Sequence, residues 1–342
     1  MARLAAVLRA LALAFRRDQK SFQSVIGNNF FFISVYLLRS AGAFVYVIIG
    51  LVLLFPMSTD PLRKIPMARL ALWPLERRER WLLRAISPWI NPITWVLAAL
   101  ALWAAHGTFS KQLWVLAAAL FATSFLISSF TGRAGLRPSQ GVWRRAPSFP
   151  GPLNQLIRKN IREMLSTLDF YCALLLSLSA IVYRAIGRQV PREGYLAITV
   201  LVVLALSSYA QCLFGLDGEG GLSRYRLLPL RGWQILAAKD AAFLLITIPL
   251  TCALAPLAGL GAALAALALG HATSVLQPRT QIRWRFSTGA SLMLGFGQAI
   301  LMAMAAWNIF SGAWWVILLC AAACAVSVCW YGRRMEQAFA SE

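Results

Sequence analysis

The residues of this chain that could do acid–base, metal or nucleophilic chemistry are few: two histidines, six cysteines and 12 carboxylates. Asp169 and Asp240 stand at the starts of apolar runs, and Asp240 directly follows Lys239. That placement suits interfacial anchors. His271 lies near the end of another apolar run with no partner visible, as a hydrogen-bonded packing histidine would. His106 lies in a polar link with no chemistry around it. Cys172, Cys212, Cys252, Cys320, Cys324 and Cys329 all fall inside or at the edge of apolar runs, and none has histidine partners at metal-site spacing. They read as small buried hydrophobes, outside any disulfide framework. The chain has no Gly-x-x-x-x-Gly-Lys-Ser/Thr phosphate loop, so it is not expected to hydrolyse ATP by itself. Neither a Ser/His/Asp nor a His-Glu-x-x-His grouping is visible, which leaves a membrane hydrolase without its parts. The expectation is a protein that is not an enzyme and holds no metal or cofactor of its own.

What the sequence offers instead is a recurrence. Arg69 to Arg84 reads Arg-Leu-Ala-Leu-Trp-Pro-Leu-Glu-Arg-Arg-Glu-Arg-Trp-Leu-Leu-Arg, and Arg224 to Lys239 reads Arg-Tyr-Arg-Leu-Leu-Pro-Leu-Arg-Gly-Trp-Gln-Ile-Leu-Ala-Ala-Lys. Aligning Pro74 with Pro229 also pairs Arg69 with Arg224, Leu72 with Leu227, Leu75 with Leu230 and Arg84 with Lys239. A spacing of roughly 155 residues between two such loops, each flanked by apolar runs, points to two related halves.

The elements that carry these loops follow from composition. The chain has 342 residues, 59% hydrophobic and only 13% charged, where soluble domains are about half apolar and a quarter charged. It reads as an all-α polytopic membrane protein in contact with the lipid bilayer. The net charge of +21 is a matter of topology rather than of nucleic-acid binding, because lysine and arginine concentrate in cytoplasmic loops. The N-terminus does not read as a signal peptide, since Arg9 interrupts the apolar core and Arg16-Arg17 follows without a cleavage site. Leu4, Val7, Leu8, Leu11 and Phe15 share one helical face and Arg9, Arg16 and Lys20 the other, which predicts an amphipathic helix in the membrane interface.

Ten transmembrane helices are predicted, in two related halves that are each preceded by such an interface helix. The first half, residues 1–130, holds four spans: Val25–Leu38 and Ala43–Phe55, turning at Arg39, then Ser87–Ala105 and Gln112–Phe130. A single crossing of residues 25–56 would leave Arg39 in mid-membrane, at about 2.5–3.5 kcal/mol. Between these pairs, Leu75 to Arg84 can form a short helix. A Gly-, Pro- and Arg-rich linker, residues 131–152, follows. The second half, residues 153–342, opens with an amphipathic helix whose apolar face is Leu153, Leu156, Ile157, Ile161, Met164, Leu165 and Leu168. Six spans complete it: Asp169–Ala185, Tyr195–Phe214, Ala241–Leu257, Leu260–Leu276, Gly289–Phe310 and Ala313–Tyr331. With both termini cytoplasmic, only Arg39, Lys111, Arg184, Arg188 and Arg192 of the 33 basic residues face outward.

This layout resembles the permease subunits of ABC exporters of the type-2 class. The resemblance rests on the interface helix before the second-half spans, their number, and Asp217-Gly-Glu-Gly-Gly-Leu-Ser-Arg-Tyr-Arg-Leu-Leu-Pro-Leu after the second of them. The first half looks like a partial copy, with Asp60-Pro-Leu-Arg-Lys-Ile-Pro and Arg-Leu-Ala-Leu-Trp-Pro-Leu. The resemblance implies that each loop docks on a separate ABC ATPase subunit, which would hold ATP and Mg. The docking candidates it implies are Pro74, Leu75, Glu76 and Arg77, and Pro229, Leu230, Arg231 and Gly232. A proline in the first turn would fix where a short helix begins. The location implied is a bacterial inner (plasma) membrane, with a homodimer or a second permease left open as further partners. The rival readings are a polytopic membrane enzyme and an assembly protein without a transport cycle.

Overall fold

The computed structural model describes residues 2–17, 62, 72–73, 75–90, 153–185, 192–217, 221–279, 281 and 292–341. The hairpin expected at Arg39, the linker 131–152 and the first-half spans, apart from residues 87–90, lie outside the described residues. The described elements fall into two compact units.

The first unit contains α1 (Ala2–Arg17), α2 (Arg77–Ile86) and a 3-10 turn (Ser87–Ile90). On α1, Leu11 is buried, Val7 and Leu8 are half-buried and Arg9 is exposed, as the two-faced pattern demands. Leu11, Leu62, Leu75 and Leu83 form a small core, with Val7, Leu8, Trp73, Leu82 and Ile90 against it. The helix expected over Leu75–Arg84 is α2, begun two residues later. It passes into the 3-10 turn at Pro88, which has no N–H to continue the helical ladder.

The second unit is a bundle: α3 (Asn154–Leu165), α4 (Leu168–Ala185), α5 (Arg192–Gln211), the short α6 (Gly221–Arg226), α7 (Gly232–Cys252), α8 (Pro256–Leu276), α9 (Leu292–Phe310) and α10 (Val316–Ser341). Five of these, α5 and α7 to α10, are long and apolar enough to cross a membrane, which takes about 20 residues. In α4 the apolar stretch is shorter, Leu168–Leu178. All six second-half spans expected from the sequence are helices. Two boundaries move most: α10 runs ten residues past Tyr331, and α7 starts at Gly232 rather than at Ala241, so Lys239 and Asp240 sit within the helix and not before it.

Helix α8 packs against α5, α7, α9 and α10. Its small residues allow close approach: a Cβ on Gly270 would lie 2.2 Å from the Ala210 carbonyl oxygen of α5. Helix α5 is the most enclosed, 83% of its apolar window being buried, against 17% for α10. The outer surface of α10 carries Leu318, Leu319, Val326 and Trp330, with Trp314 and Trp315 exposed just before its start, a face suited to lipid. Between α9 and α10 the chain turns at Gly312, whose φ of 104° favours glycine.

Candidate functional site

The two recurrent loops make the same local structure. At Leu72–Arg77 the Leu75 N–H donates to the Trp73 carbonyl at 2.7 Å; at Leu227–Gly232 the Leu230 N–H donates to the Leu228 carbonyl at 2.8 Å. The next residue is extended in both, Glu76 at φ −67°, ψ 162° and Arg231 at φ −73°, ψ 151°, and each begins a helix, α2 at Arg77 and α7 at Gly232. The third helical residue closes back on the cap in both. The Glu76 N–H donates to Glu79 Oε2 at 3.2 Å, and the Arg231 N–H to Gln234 Oε1 at 2.9 Å. That reciprocal bond satisfies a backbone donor left open at a helix start. Each helix therefore starts three residues after the aligned proline, so Pro74 and Pro229 precede the caps and do not form the first helical turn.

The candidate docking residues divide. Leu75 is 5% exposed and belongs to the small core of its unit, where Arg80 Nε also donates to its carbonyl at 2.9 Å. Glu76 is exposed; Pro74 and the Arg77 side chain lie outside what the structure describes. In the second copy Pro229 and Arg231 are exposed, Leu230 is half-buried and Gly232 is buried. The apolar residues that stand furthest outward in the two turns are the aligned pair Leu72 and Leu227, 83% and 85% exposed, and Leu228 beside the second is exposed as well. Arg78 and Arg80 flank the first, and Arg224, Arg226 and Arg231 the second, all exposed.

Beneath the second turn lies a buried charge cluster. Asp217, just after α5, accepts from Lys239 of α7 at 2.9 Å, from Lys159 of α3, and from the Tyr225 hydroxyl of α6 at 3.0 Å. The Lys239 ammonium also donates to the Leu213 carbonyl at 2.6 Å and to Asn160 Oδ1 at 3.1 Å. The aliphatic stem and charge of Lys239 are wholly enclosed, and the rings of Phe214 and Tyr225 lie 4.9 and 5.3 Å from its nitrogen. Burial by itself would raise the Asp217 carboxyl, but the two ammonium groups outweigh it and hold the group below the ordinary carboxylate range. Burial first, and then the Asp217 charge, push the Tyr225 hydroxyl upward. One carboxylate thus joins α3, α6 and α7 at the point where the second turn enters the bundle.

A second polar chain lies deeper, about 12 Å along α7 from its first residue. Asp240 Oδ1 and His271 Nε2 are 2.9 Å apart, and His271 Nδ1 and Ser327 Oγ are also 2.9 Å apart. The Ser327 hydroxyl is 2.7 Å from the Ala268 carbonyl, to which it donates, and Cys324 Sγ lies 3.8 Å from Asp240 Oδ2. All four side chains are buried. Asp240, His271 and Ser327 are widely spaced in sequence, so the grouping is invisible there and only helix packing assembles it. The parts resemble a hydrolytic triad, but the hydroxyl is enclosed and turned to a backbone carbonyl, which gives a substrate no line of attack.

Asp169 is likewise buried rather than an interfacial anchor, accepting from Ser208 and from Gln281 Nε2 at 3.0 Å. Cys172, Cys212 and Cys324 are buried as expected, whereas Cys252 and Cys329 face outward. Among the described residues no three His, Cys, Asp or Glu side chains are placed to hold a metal ion. The cluster around Asp217 had one sequence signal, a Lys-Asp pair in an otherwise apolar run, and that signal alone does not name the partners.

The fold defines a helical integral membrane protein with several apolar spans. In comparison with protein families, curated proteins and solved structures, the chain matches none.

Proposed function

We propose that this chain is the membrane-spanning permease subunit of an ATP-driven, ABC-type exporter, set in a bacterial inner membrane with both termini cytoplasmic. Its partner is a separate ABC ATPase carrying ATP and Mg, docked on the two turns. The observation that carries this reading is the pair of capped turns in the same register, each presenting a leucine that stands far outward, Leu72 or Leu227, among exposed arginines. An apolar tip ringed by cations suits a groove on a protein partner better than open solvent does. The second turn leads without a break into α7, a helix of 21 residues, so movement of the partner passes along about 30 Å of rigid rod. The charge cluster at Asp217 and the bond from the Gly232 N–H to Glu336 of α10 link that rod to its neighbours, and tilting the bundle would open the pathway alternately.

The test is retention of the ATPase subunit by the purified permease. Leu72→Asp and Leu227→Asp should each reduce it, with membrane insertion and folding intact because both side chains are exposed. Losing the buried contact and burying a carboxylate together weaken docking by about 3 kcal/mol, on the order of a hundredfold. Full retention of the subunit in both variants would leave the turns as topological charge alone.

A further inference from the structure

We infer that Asp240, His271 and Ser327 form a proton-binding site inside the bundle, one that ties α7 to α8 and α10 while it is loaded. The argument is a count of hydrogens. The chain contains three polar contacts: Asp240 to His271 at 2.9 Å, His271 to Ser327 at 2.9 Å, and Ser327 to the Ala268 carbonyl at 2.7 Å. Each needs one hydrogen between two lone-pair-bearing atoms. The serine hydroxyl supplies one and a neutral imidazole supplies one. A third hydrogen must therefore be bound, either on the imidazole as an aspartate–imidazolium pair or on Asp240 as a carboxylic acid facing a bare Nε2. Loading adds one proton to a carboxylate and a neutral ring, and the site goes from one negative charge to none.

Charge gives a second and independent reason. The nearest cation in sequence, Lys239, turns its ammonium to Asp217, Leu213 and Asn160. Asp240 has His271 and Cys324 as its hydrogen-bonding partners among the described residues. Among the described residues no lysine or arginine pairs with Asp240, and a carboxylate enclosed that way among apolar helices is costly, so a proton is the ligand that neutralises it. Of the other ionisable groups on the surrounding elements, α5 carries Tyr209, and α10 carries Cys320 and Cys324 near the site and Arg333, Arg334 and Glu336 toward its end, Glu336 engaged by Gly232; on α3 are Glu163 and Lys159, the latter directed to Asp217, on α4 Asp169 faces Ser208 and Gln281, and α9 brings none. When the proton leaves, two acceptors face each other at hydrogen-bond distance, and the three-helix contact opens at that point.

The chain has only two histidines, which makes a direct test practical. Full-length protein carrying His106→Gln, labelled with nitrogen-15 histidine and held in nanodiscs at neutral pH, reports on His271 alone. The inference expects both ring nitrogens to be protonated, or one bare nitrogen together with an infrared carboxylic-acid band that disappears in Asp240→Asn. If Asp240→Asn does not fold, Asp240→Glu should shift that band instead. In Ser327→Ala, which removes the acceptor facing Nδ1, the Nδ1 resonance should move. One bare ring nitrogen with no carboxylic-acid band dependent on residue 240 would overturn the inference.

Discussion

At Leu72–Arg77 and at Leu227–Gly232 the chain makes the same turn, exposes the same leucine and starts a helix on the same cap. From there the copies diverge. In the first, α2 runs ten residues and gives way to the 3-10 turn at Pro88, and Leu75 is buried against Leu11, Leu62 and Leu83. In the second, the helix runs on for 21 residues and its start is clamped from outside. The Gly232 N–H donates to the Glu336 carboxylate of α10 at 2.6 Å, and a Cβ at Gly232 would sit 2.2 Å from the Gly332 carbonyl oxygen. This accounts for arginine at position 77 where the second copy has glycine. The comparison separates two jobs: the turn itself needs the cap and the outward leucine, while fastening the turn to spans needs Gly232, Glu336 and Lys239.

Removing the fastening at its strongest point should have the largest effect. Lys239→Met leaves Asp217 buried with its main counter-ion gone and should destabilise the second unit by about 3–5 kcal/mol. Adding Asp217→Asn should recover a substantial part of that loss, as read by thermal unfolding in detergent. Next is Leu75→Ala, which opens a cavity in the small core and should cost about 2–5 kcal/mol. Leu230→Ala, at a half-buried site, should cost clearly less. Hydrogen exchange in α2 and α7 would compare the two, and equal losses would show that the aligned leucines have the same role.

Gly232→Ala forces α10 away from the start of α7 and should cost about 1–3 kcal/mol, through overpacking against backbone that cannot yield. The smallest effect is that of pH on the Asp217 pair. Its folded carboxyl lies below the unfolded value of about 3.9, so the stability it contributes is present in full above that value and is lost as pH falls through the folded one. Wild-type unfolding curves should therefore show no slope from this group at neutral pH and an acid loss that Asp217→Asn removes. The first copy has no matched carboxylate among its described residues.

Legibility in the sequence followed the range of the interactions involved. Apolar run lengths found a helix for each of the six spans expected in the second half, and the offset between Pro74 and Pro229 found both turns, because period and local turn chemistry are written in adjacent residues. The start of α7 was missed by nine residues, since Arg231 is not a conventional cap and Gln234 acts only as its reciprocal partner. Asp240, His271 and Ser327 were read separately, as an anchor, a packing residue and an unremarked serine. Their meeting depends on how three helices cross, which no local window contains. Likewise Leu72 and Leu75 are alike as sequence, and only the path of the turn sends one outward and the other into the core.

The account turns on what touches those outward leucines. A photo-crosslinking amino acid placed at position 72 or 227, activated in native membranes, should join the chain to a protein that carries a Gly-x-x-x-x-Gly-Lys-Ser/Thr phosphate loop, identified by mass spectrometry, from both positions. Crosslinks confined to lipid, or to proteins without that loop, would contradict the proposal that the twin turns dock an ATPase.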